Sequence, residues 1–345
     1  MRSLRRSIRL FLDMIQLGVS FSTFAIAGVT PRKTVESMVR LFCASGGRSN
    51  DLIARVMAWA HPPRPLSASE GVLQPLRERE VAQIVPTLRE QGYFLYENRV
   101  PDEICRRLLD FALTQPAKVR LQDGQSRETI AAIYDPLKPL GVRYDFDEKD
   151  VINHPDVQAL MADPAIVAVA QAYLGVQPVA DVVSMWWHTA FSDQPDSEAA
   201  QFYHFDMDRI RWIKFFIYLT DVSSDNGPHY FVVGSHRTDG IPKNLLSKGY
   251  VRLLDEEIES HYPAKDIIEF VAPRGTILAE DTRGLHKGQH VRQGHRLMLQ
   301  IQFSNSLFGP AYPKVAFDQV RDSRLNEMME RYPRIYSNYA ATGKS

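Results

Sequence analysis

The feature that most constrains the fold of this chain is a change of hydrophobic pattern near residue 179. From Val179 to Phe303, β-branched and aromatic runs alternate with turn residues, as is typical of strands. Before that point apolar residues recur with the helical period, most clearly over Glu78–Gln91. Helices first and strands later predict an α+β fold, with helices packed outside a β-barrel core.

Further elements can be predicted in the helical part. Residues 92–96 form a short strand pattern, and a helix opens at Pro101 and runs to about Leu113, since proline is tolerated in a first turn. Another helical pattern covers Pro155–Leu174 and ends at Gly175 as a C-cap. Pro164 divides this last pattern into two helices.

A segment rich in proline and serine suggests how the chain is divided. Residues 61–77 begin with this composition and are predicted to be a linker. The interpretation gives an N-terminal helical extension over residues 1–60 and a main domain over residues 78–312. A C-terminal helical tail follows over residues 313–345.

Residues 1–27 predict an amphipathic helix. Polar residues recur at a spacing close to 3.6, opposite an apolar side formed by Leu4, Ile8, Phe11, Leu12, Ile15 and Val19. Asp13 and Gln16 interrupt what would be the apolar region of a signal peptide or of a spanning helix. Docking on the domain and peripheral membrane contact fit an amphipathic helix best, and a spanning helix is the third, less favoured alternative.

Composition excludes some classes of partner. The 345 residues carry a formal net charge of zero, with 44% hydrophobic residues, so no basic excess indicates a nucleic-acid partner. The two cysteines, Cys43 and Cys105, are far apart, so no disulfide framework is expected. The chain is predicted to be cytoplasmic, with membrane association left open.

His204 and Asp206 are the first candidate metal ligands. They lie in the alternating segment 201–206, which predicts a strand, and residues at i and i+2 of a strand project from the same face. One more imidazole from a distant strand would complete two histidines and one carboxylate on one face of a metal. Non-haem Fe(II) oxygenases bind their metal in this way.

The motifs downstream carry a resemblance to a known family. In order they are Phe215–Val222, Asp225–His229, Val233–Arg237, Pro273–Leu278, Asp281–His286 and Gly294–Gln300. Together with His204 and Asp206 they resemble the phytanoyl-CoA dioxygenase family over roughly residues 78–308. The resemblance implies Fe(II)- and 2-oxoglutarate-dependent oxygenases built on a double-stranded β-helix, a jelly-roll or cupin-like core.

The resemblance also implies the ligand set. His204 and Asp206 would be the proximal pair and His286 the distal ligand, with His290 as its rival four residues on. His286 is preferred because it is expected at the end of the strand over residues 275–281 and ten residues before Arg296. Among the other histidines, His229 and His236 fall in turn segments, and His188, His261 and His295 are interpreted as ordinary polar residues. Dioxygen and a small-molecule or lipid-linked substrate would be the partners of such a site.

Arg296 would bind the cosubstrate. A guanidinium presents a planar fork that takes a carboxylate bidentately, here the distal carboxylate of 2-oxoglutarate. Arg292 is a nearby alternative, but Arg296 opens the apolar strand 297–303, which matches the family. Gln300 and Gln302 share the strand face of Arg296, and paired glutamines on an inward face would line the site, unless that face is the solvated one.

Lys214 and Trp186 are further candidates for contact with the cosubstrate. Lys214 stands in the apolar run 212–219, where it could bind an acidic substrate or cosubstrate, or extend to solvent. Trp186 precedes the proximal ligands and could wall the cosubstrate pocket or belong to the core. Arg143, before the barrel, lies where a substrate-reading loop would be.

Two positions bear on the type of reaction. Several family members have serine two residues after the distal histidine, whereas this chain has Gly288, which removes one hydroxyl donor to the cosubstrate. The halogenating branch has a small residue where this chain has Asp206, so hydroxylation of a C–H bond is favoured, with release of succinate and CO2. A cupin-like metal enzyme of another reaction type and a non-catalytic binding relative are the alternatives.

Overall fold

Two antiparallel sheets that face each other across a cavity form the core of the protein. The computed structural model describes residues 2–66, 70–121 and 130–340. Its helices are α1 Arg2–Ala27, α2 Arg32–Ser45, α3 Arg48–Ala60, α4 Glu78–Gln91, α5 Asp102–Thr114, α6 Glu148–Ile152, α7 Pro155–Met161, α8 Pro164–Leu174, α9 Lys243–Leu246, α10 Asp255–Glu259 and α11 Ser323–Arg331. Its strands are β1 Tyr93–Leu95, β2 Ala117–Arg120, β3 Ile130–Ala132, β4 Arg143–Asp145, β5 Val179–Thr189, β6 Trp212–Tyr218, β7 His229–Val232, β8 Ile267–Phe270, β9 Ile277–Glu280, β10 His286–Gly288 and β11 His295–Ser304.

The large sheet has the strand order β1-β9-β6-β11-β5-β4-β2-β3, and the small sheet has the order β10-β7-β8. All paired strands are antiparallel, and neighbours in the sheets are often distant in sequence. This topology, with helices before most of the barrel strands, confirms the predicted α+β fold with a jelly-roll core.

The large sheet separates an apolar layer from the cavity, as β11 shows. Its odd-numbered residues Leu297, Leu299, Ile301 and Phe303 belong to the main hydrophobic cluster, together with residues of α4, α5, α7 and α8. Its even-numbered residues Arg296, Met298, Gln300 and Gln302 line the cavity. The period of two therefore decides which side chains pack and which reach the site.

The predicted helices agree with the structure. The helix α4 has the predicted bounds, and Gly92 ends it with a φ of 95°. The division at Pro164 is confirmed, because Asp163 caps α8 and Pro164 occupies its first turn. The C-terminal tail packs into the core, where the Tyr339 hydroxyl donates to Glu148 Oε1 at 2.7 Å and Tyr336 is buried. The division into domains stays a prediction.

The N-terminal helix packs on the domain. Asp13, Leu17 and Ser20 are buried, whereas Phe11 and Val19 on the apolar side are exposed. Hydrogen bonds from Ser37 and Arg40 of α2 to Asp13 hold the polar side of the helix.

Candidate metal centre and its cavity

Backbone pairing brings His204 and His286 together. The His204 amide donates to the His286 carbonyl at 3.0 Å, and the His286 amide donates back at 2.9 Å. The two ring centroids are consequently 4.3 Å apart, although the residues are 82 positions apart in sequence. Asp206 is held by its own amide, which donates to the Thr282 carbonyl at 2.8 Å.

Two predictions about these segments were wrong in detail. Segment 201–206 is not a regular strand, because it changes partner at each step: Tyr203 pairs with Leu253 and His204 with His286. His286 does not stand at the end of the strand that precedes it, since a turn follows β9 and His286 opens β10 in the other sheet. The side chains of His204 and Asp206 nevertheless lie on the same side and approach to 3.6 Å.

The two imidazoles present the same nitrogen to Asp206. The Nδ1 atoms of His204 and His286 each lie 2.9 Å from a backbone carbonyl, of Phe202 and Gly284 respectively. A carbonyl accepts only, so each Nδ1 carries the proton and each Nε2 keeps its lone pair. These Nε2 atoms lie 3.6 and 3.5 Å from the Asp206 carboxylate oxygens. One potential ligand atom from each residue falls within 4.8 Å of the others.

The electrostatics favour the ligand forms of all three residues. Burial lowers the pKa of His204 well below its usual range and also lowers that of His286. Burial by itself would raise the pKa of Asp206, but the positive charge of Lys214 outweighs burial and lowers that pKa. Two neutral imidazoles and one carboxylate form a donor set that fits a divalent iron ion.

Lys214 is fixed against the candidate ligand Asp206. Its Nζ donates to Asp206 Oδ2 at 2.6 Å and lies 3.0 Å from Asp208 Oδ2. Burial disfavours its charged form, but the two carboxylates outweigh burial and raise its pKa. The alternative that Lys214 extends to solvent was wrong, because the side chain is about one-tenth exposed. Contact with the cosubstrate stays a prediction.

Arg296 is a buried cation with no acidic partner among the described residues. Its Nη1 donates to the Gly227 carbonyl and its Nη2 donates to His188 Nδ1 at 2.6 Å. Nε has no hydrogen-bond partner, and burial lowers the pKa of the guanidinium to about 10. A buried charge without a counter-ion is unfavourable, so a carboxylate ligand would stabilise this arrangement.

Gly288 lies directly against this guanidinium. A Cβ atom at this position would be 3.1 Å from Arg296 Nη2 and 3.5 Å from His188 Cε1. A serine side chain would therefore crowd the arginine as it stands. The departure from serine leaves the Nη2 side of Arg296 open.

One cavity of about 440 Å³ contains the whole candidate site. The seven predicted site residues that line it are His204, Asp206, His286, Arg296, Gln300, Trp186 and Lys214. Trp186 is buried, its Nε1 has no partner, and the Arg143 guanidinium lies 4.5 Å from its ring centroid. The rival His290 is not among the lining residues, and its Nε2 lies 2.6 Å from the Ser192 carbonyl.

Sequence reasoning missed two histidines of this cavity. His188 of β5 lies opposite Arg296 of β11 in the sheet. Burial, followed by the charge of Arg296, lowers the pKa of His188 well below its usual range. His229 opens β7 rather than lying in a turn, and its Nε2 is 2.9 Å from Glu280 Oε2. Burial raises the pKa of Glu280 to about 8 and lowers that of His229 to about 3. His188 could have been found from its spacing of two from Trp186.

The model of the family described as phytanoyl-CoA dioxygenase (PhyH) matches residues 88–296. The comparison with curated protein sequences gave no match.

Several solved structures resemble the fold at low identity. The α-ketoglutarate-dependent epimerase SnoN from nogalamycin biosynthesis has 15% identity and a TM-score of 0.47, covering 72% of this chain and 89% of that one. EctD from S. alaskensis has 17% identity and a TM-score of 0.48, covering 76% and 91%. The carbocyclase SnoK has 14% identity and a TM-score of 0.42, covering 69% and 87%.

Proposed function

The chain belongs to the phytanoyl-CoA dioxygenase family of Fe(II)- and 2-oxoglutarate-dependent oxygenases, and we propose that it hydroxylates a C–H bond of a small-molecule or lipid-linked substrate. 2-Oxoglutarate and dioxygen would be consumed, and succinate and CO2 released. The observation that supports this proposal is that one cavity contains both a complete donor set and a buried guanidinium with no acidic partner in the described part of the chain.

His204, Asp206 and His286 would hold the iron. The metal would supply the one-electron chemistry that activates dioxygen, which no side chain of the cavity can provide. The carbonyls of Phe202 and Gly284 fix the two ring orientations, so that both Nε2 atoms point at one place. Lys214 holds Asp206 Oδ2, which leaves Oδ1 as the freer ligand oxygen.

Arg296 would orient 2-oxoglutarate by binding its distal carboxylate. The His188 ring and the Gly227 carbonyl keep the guanidinium in place before a ligand arrives. Gln300 and Trp186 line the same cavity, and each carries side-chain donors that could reach the cosubstrate. A buried, preorganised arginine is not needed by a cupin-like metal enzyme of another reaction type, and a binding relative would not need the complete donor set.

Hydroxylation is preferred to halogenation because Asp206 occupies the position that is small in the halogenating branch. Cytoplasmic location and peripheral membrane contact through residues 1–27 stay predictions.

The test of this function is coupled product analysis with an arginine variant. Arg296→Lys should raise the KM for 2-oxoglutarate about tenfold or more, because an ammonium group cannot reproduce the bidentate contact. Succinate release is measured at varied 2-oxoglutarate with anaerobically loaded Fe(II). The matched control is Arg292→Lys, which alters the exposed neighbouring arginine and should leave the KM unchanged. An unchanged KM in Arg296→Lys, or product formed without succinate, would contradict the proposal.

A further inference from the structure

The N-terminal helix is attached to the protein by its polar side. Asp13 is buried and its carboxylate accepts from Arg40 of α2 at 2.7 and 3.0 Å and from the Ser37 hydroxyl at 2.8 Å. Two turns further along α1, the Ser20 hydroxyl accepts a hydrogen bond of 2.6 Å from the Thr34 hydroxyl of α2. These contacts run along α1 and α2 in opposite directions, so the two helices form an antiparallel pair.

The far end of α1 is also attached to the domain. Phe21 and Phe24 each meet the ring of Phe308 edge-on, with centroids 5.4 Å apart. Phe308 is fully buried and follows the last barrel strand, and the Gly309 amide donates to Thr30 at 3.1 Å. The helix is therefore held over most of its length by contacts on one side.

The opposite side of α1 presents apolar side chains that the protein does not cover. We call this surface the outer face; it consists of Ile8, Phe11, Leu12, Ile15, Val19 and Ile26. These side chains are between 49% and 89% exposed. At a rise of 1.5 Å per residue the part of the outer face from Ile8 to Val19 extends for about 17 Å, and Ile26 lies beyond the exposed polar residues Ser22 and Thr23. An exposed apolar strip of this length indicates a binding surface.

The charges beside the outer face are positive. Residues 2–27 contain four arginines and one acid, Asp13, which is already paired with Arg40. Arg5 and Arg9 are exposed, and with about 100° per residue both border the same edge of the outer face. An apolar strip with a basic border matches an anionic lipid surface, in which acyl chains meet phosphate groups.

We propose that the outer face of α1 binds the interface of an anionic membrane, with the helix lying parallel to the bilayer plane. Residues 7–27 are long and apolar enough to cross a membrane by length and composition. Crossing would, however, carry the Asp13–Arg40 pair into hydrocarbon or detach α1 from α2, and both are unfavourable. Lying flat leaves every contact with α2 and Phe308 intact and buries the outer face.

The test uses the full-length protein and vesicles of phosphatidylcholine with phosphatidylglycerol. The variant Phe11→Gln/Ile15→Gln/Val19→Gln should lower vesicle binding on the order of tenfold or more, because three inserted side chains are lost while the buried side of α1 is untouched. The matched control is Leu52→Gln/Val56→Gln on α3, which removes two equally exposed apolar side chains and should bind as the wild type does. Circular dichroism checks that both variants keep their helices.

Charge and topology are tested on the same preparation. Binding should weaken in vesicles of phosphatidylcholine alone, at high salt, and in Arg5→Gln/Arg9→Gln. Alkaline carbonate should release the bound protein, whereas a spanning helix would stay with the membrane. Failure of the wild type to bind anionic vesicles at low salt would overturn the proposal, as would outer-face variants that convert a dimer to a monomer in sedimentation without changing vesicle binding. Succinate release by the outer-face variant on a soluble substrate should be unchanged, so this proposal and the proposed function can fail separately.

Discussion

Two buried polar clusters begin within the same six residues, 281–286, and they differ in what they leave unsatisfied. Asp281 and Arg283 turn to one side, where Arg283 Nη2 lies 2.7 Å from Asp281 and Nη1 lies 3.0 Å from Asp51 of α3. The Tyr173 hydroxyl completes this group with a hydrogen bond of 2.5 Å to Asp281. We call it the closed cluster, because each of its charges has an opposite charge beside it.

The other side is the open cluster, formed by His204, Asp206 and His286. Its two Nε2 atoms converge on one carboxylate, and no described residue donates a hydrogen bond to either of them. In the same cavity Arg296 has no acidic partner among the described residues. Burial of polar groups therefore does not mark function by itself. A cluster whose charges are all paired stabilises the fold, whereas a cluster with free metal-binding atoms beside an unpaired cation indicates what the cavity binds.

The largest expected effect is the loss of enzyme turnover when the open cluster is changed. His204→Ala, Asp206→Ala and His286→Ala should each abolish succinate release, because two remaining ligands hold iron poorly. Iron content after anaerobic loading and circular dichroism are measured beside activity, and the fold should be retained. His290→Ala is the matched control and should keep its activity. An active His286→Ala with an inactive His290→Ala would show that the distal ligand was assigned wrongly.

The closed cluster should respond in stability instead. Arg283→Leu leaves Asp281 buried without its partner, and the free energy of unfolding should fall by about 3–5 kcal/mol. Urea unfolding measures this loss, while the folded fraction should still bind one Fe(II). As a control, Arg48→Leu removes the exposed pair with Asp239 and should cost less than about 1 kcal/mol. Loss of iron binding in folded Arg283→Leu would remove the distinction between the clusters.

A smaller effect is expected from Glu280 and His229, which lie beside the open cluster. The pKa of Glu280 is raised by burial from 4.5 to about 8, so its contribution to stability is complete below pH 4.5 and is lost as the pH rises toward 8. The pKa of His229 is lowered by burial from 6.5 to about 3, so its contribution is complete above pH 6.5 and is lost on acidification.

Between pH 6.5 and 8 only Glu280 of this pair still titrates. The free energy of unfolding of the metal-free protein should therefore fall by up to about 2 kcal/mol over this pH range. Glu280→Gln keeps the neutral form at every pH and should remove this loss, which chemical denaturation at a series of pH values measures. Glu256→Gln changes an exposed carboxyl and serves as the control. A wild-type slope retained in Glu280→Gln would assign the loss to another group.

Local patterns predicted much of the fold. The bounds of α4, the division at Pro164 and the alternation along β11 follow from apolar period, proline chemistry and strand geometry, which depend on neighbours in sequence. Segment 201–206 and β10 were less well predicted, because their pairing is with residues far along the chain. The roles of His188 and His229 were missed for the same reason.

The sequence by itself determined the family, the fold class and the residues proposed as ligands, since these depend on motif order and on residue chemistry. Only the tertiary structure decided what each polar group meets. It set Lys214 between Asp206 and Asp208, placed Arg296 against His188 with no acid from the described residues beside it, and turned the apolar side of α1 outward. The physical reason is that hydrogen bonds and ion pairs are satisfied by whichever partner the fold brings within about 3 Å, and sequence spacing does not contain that distance.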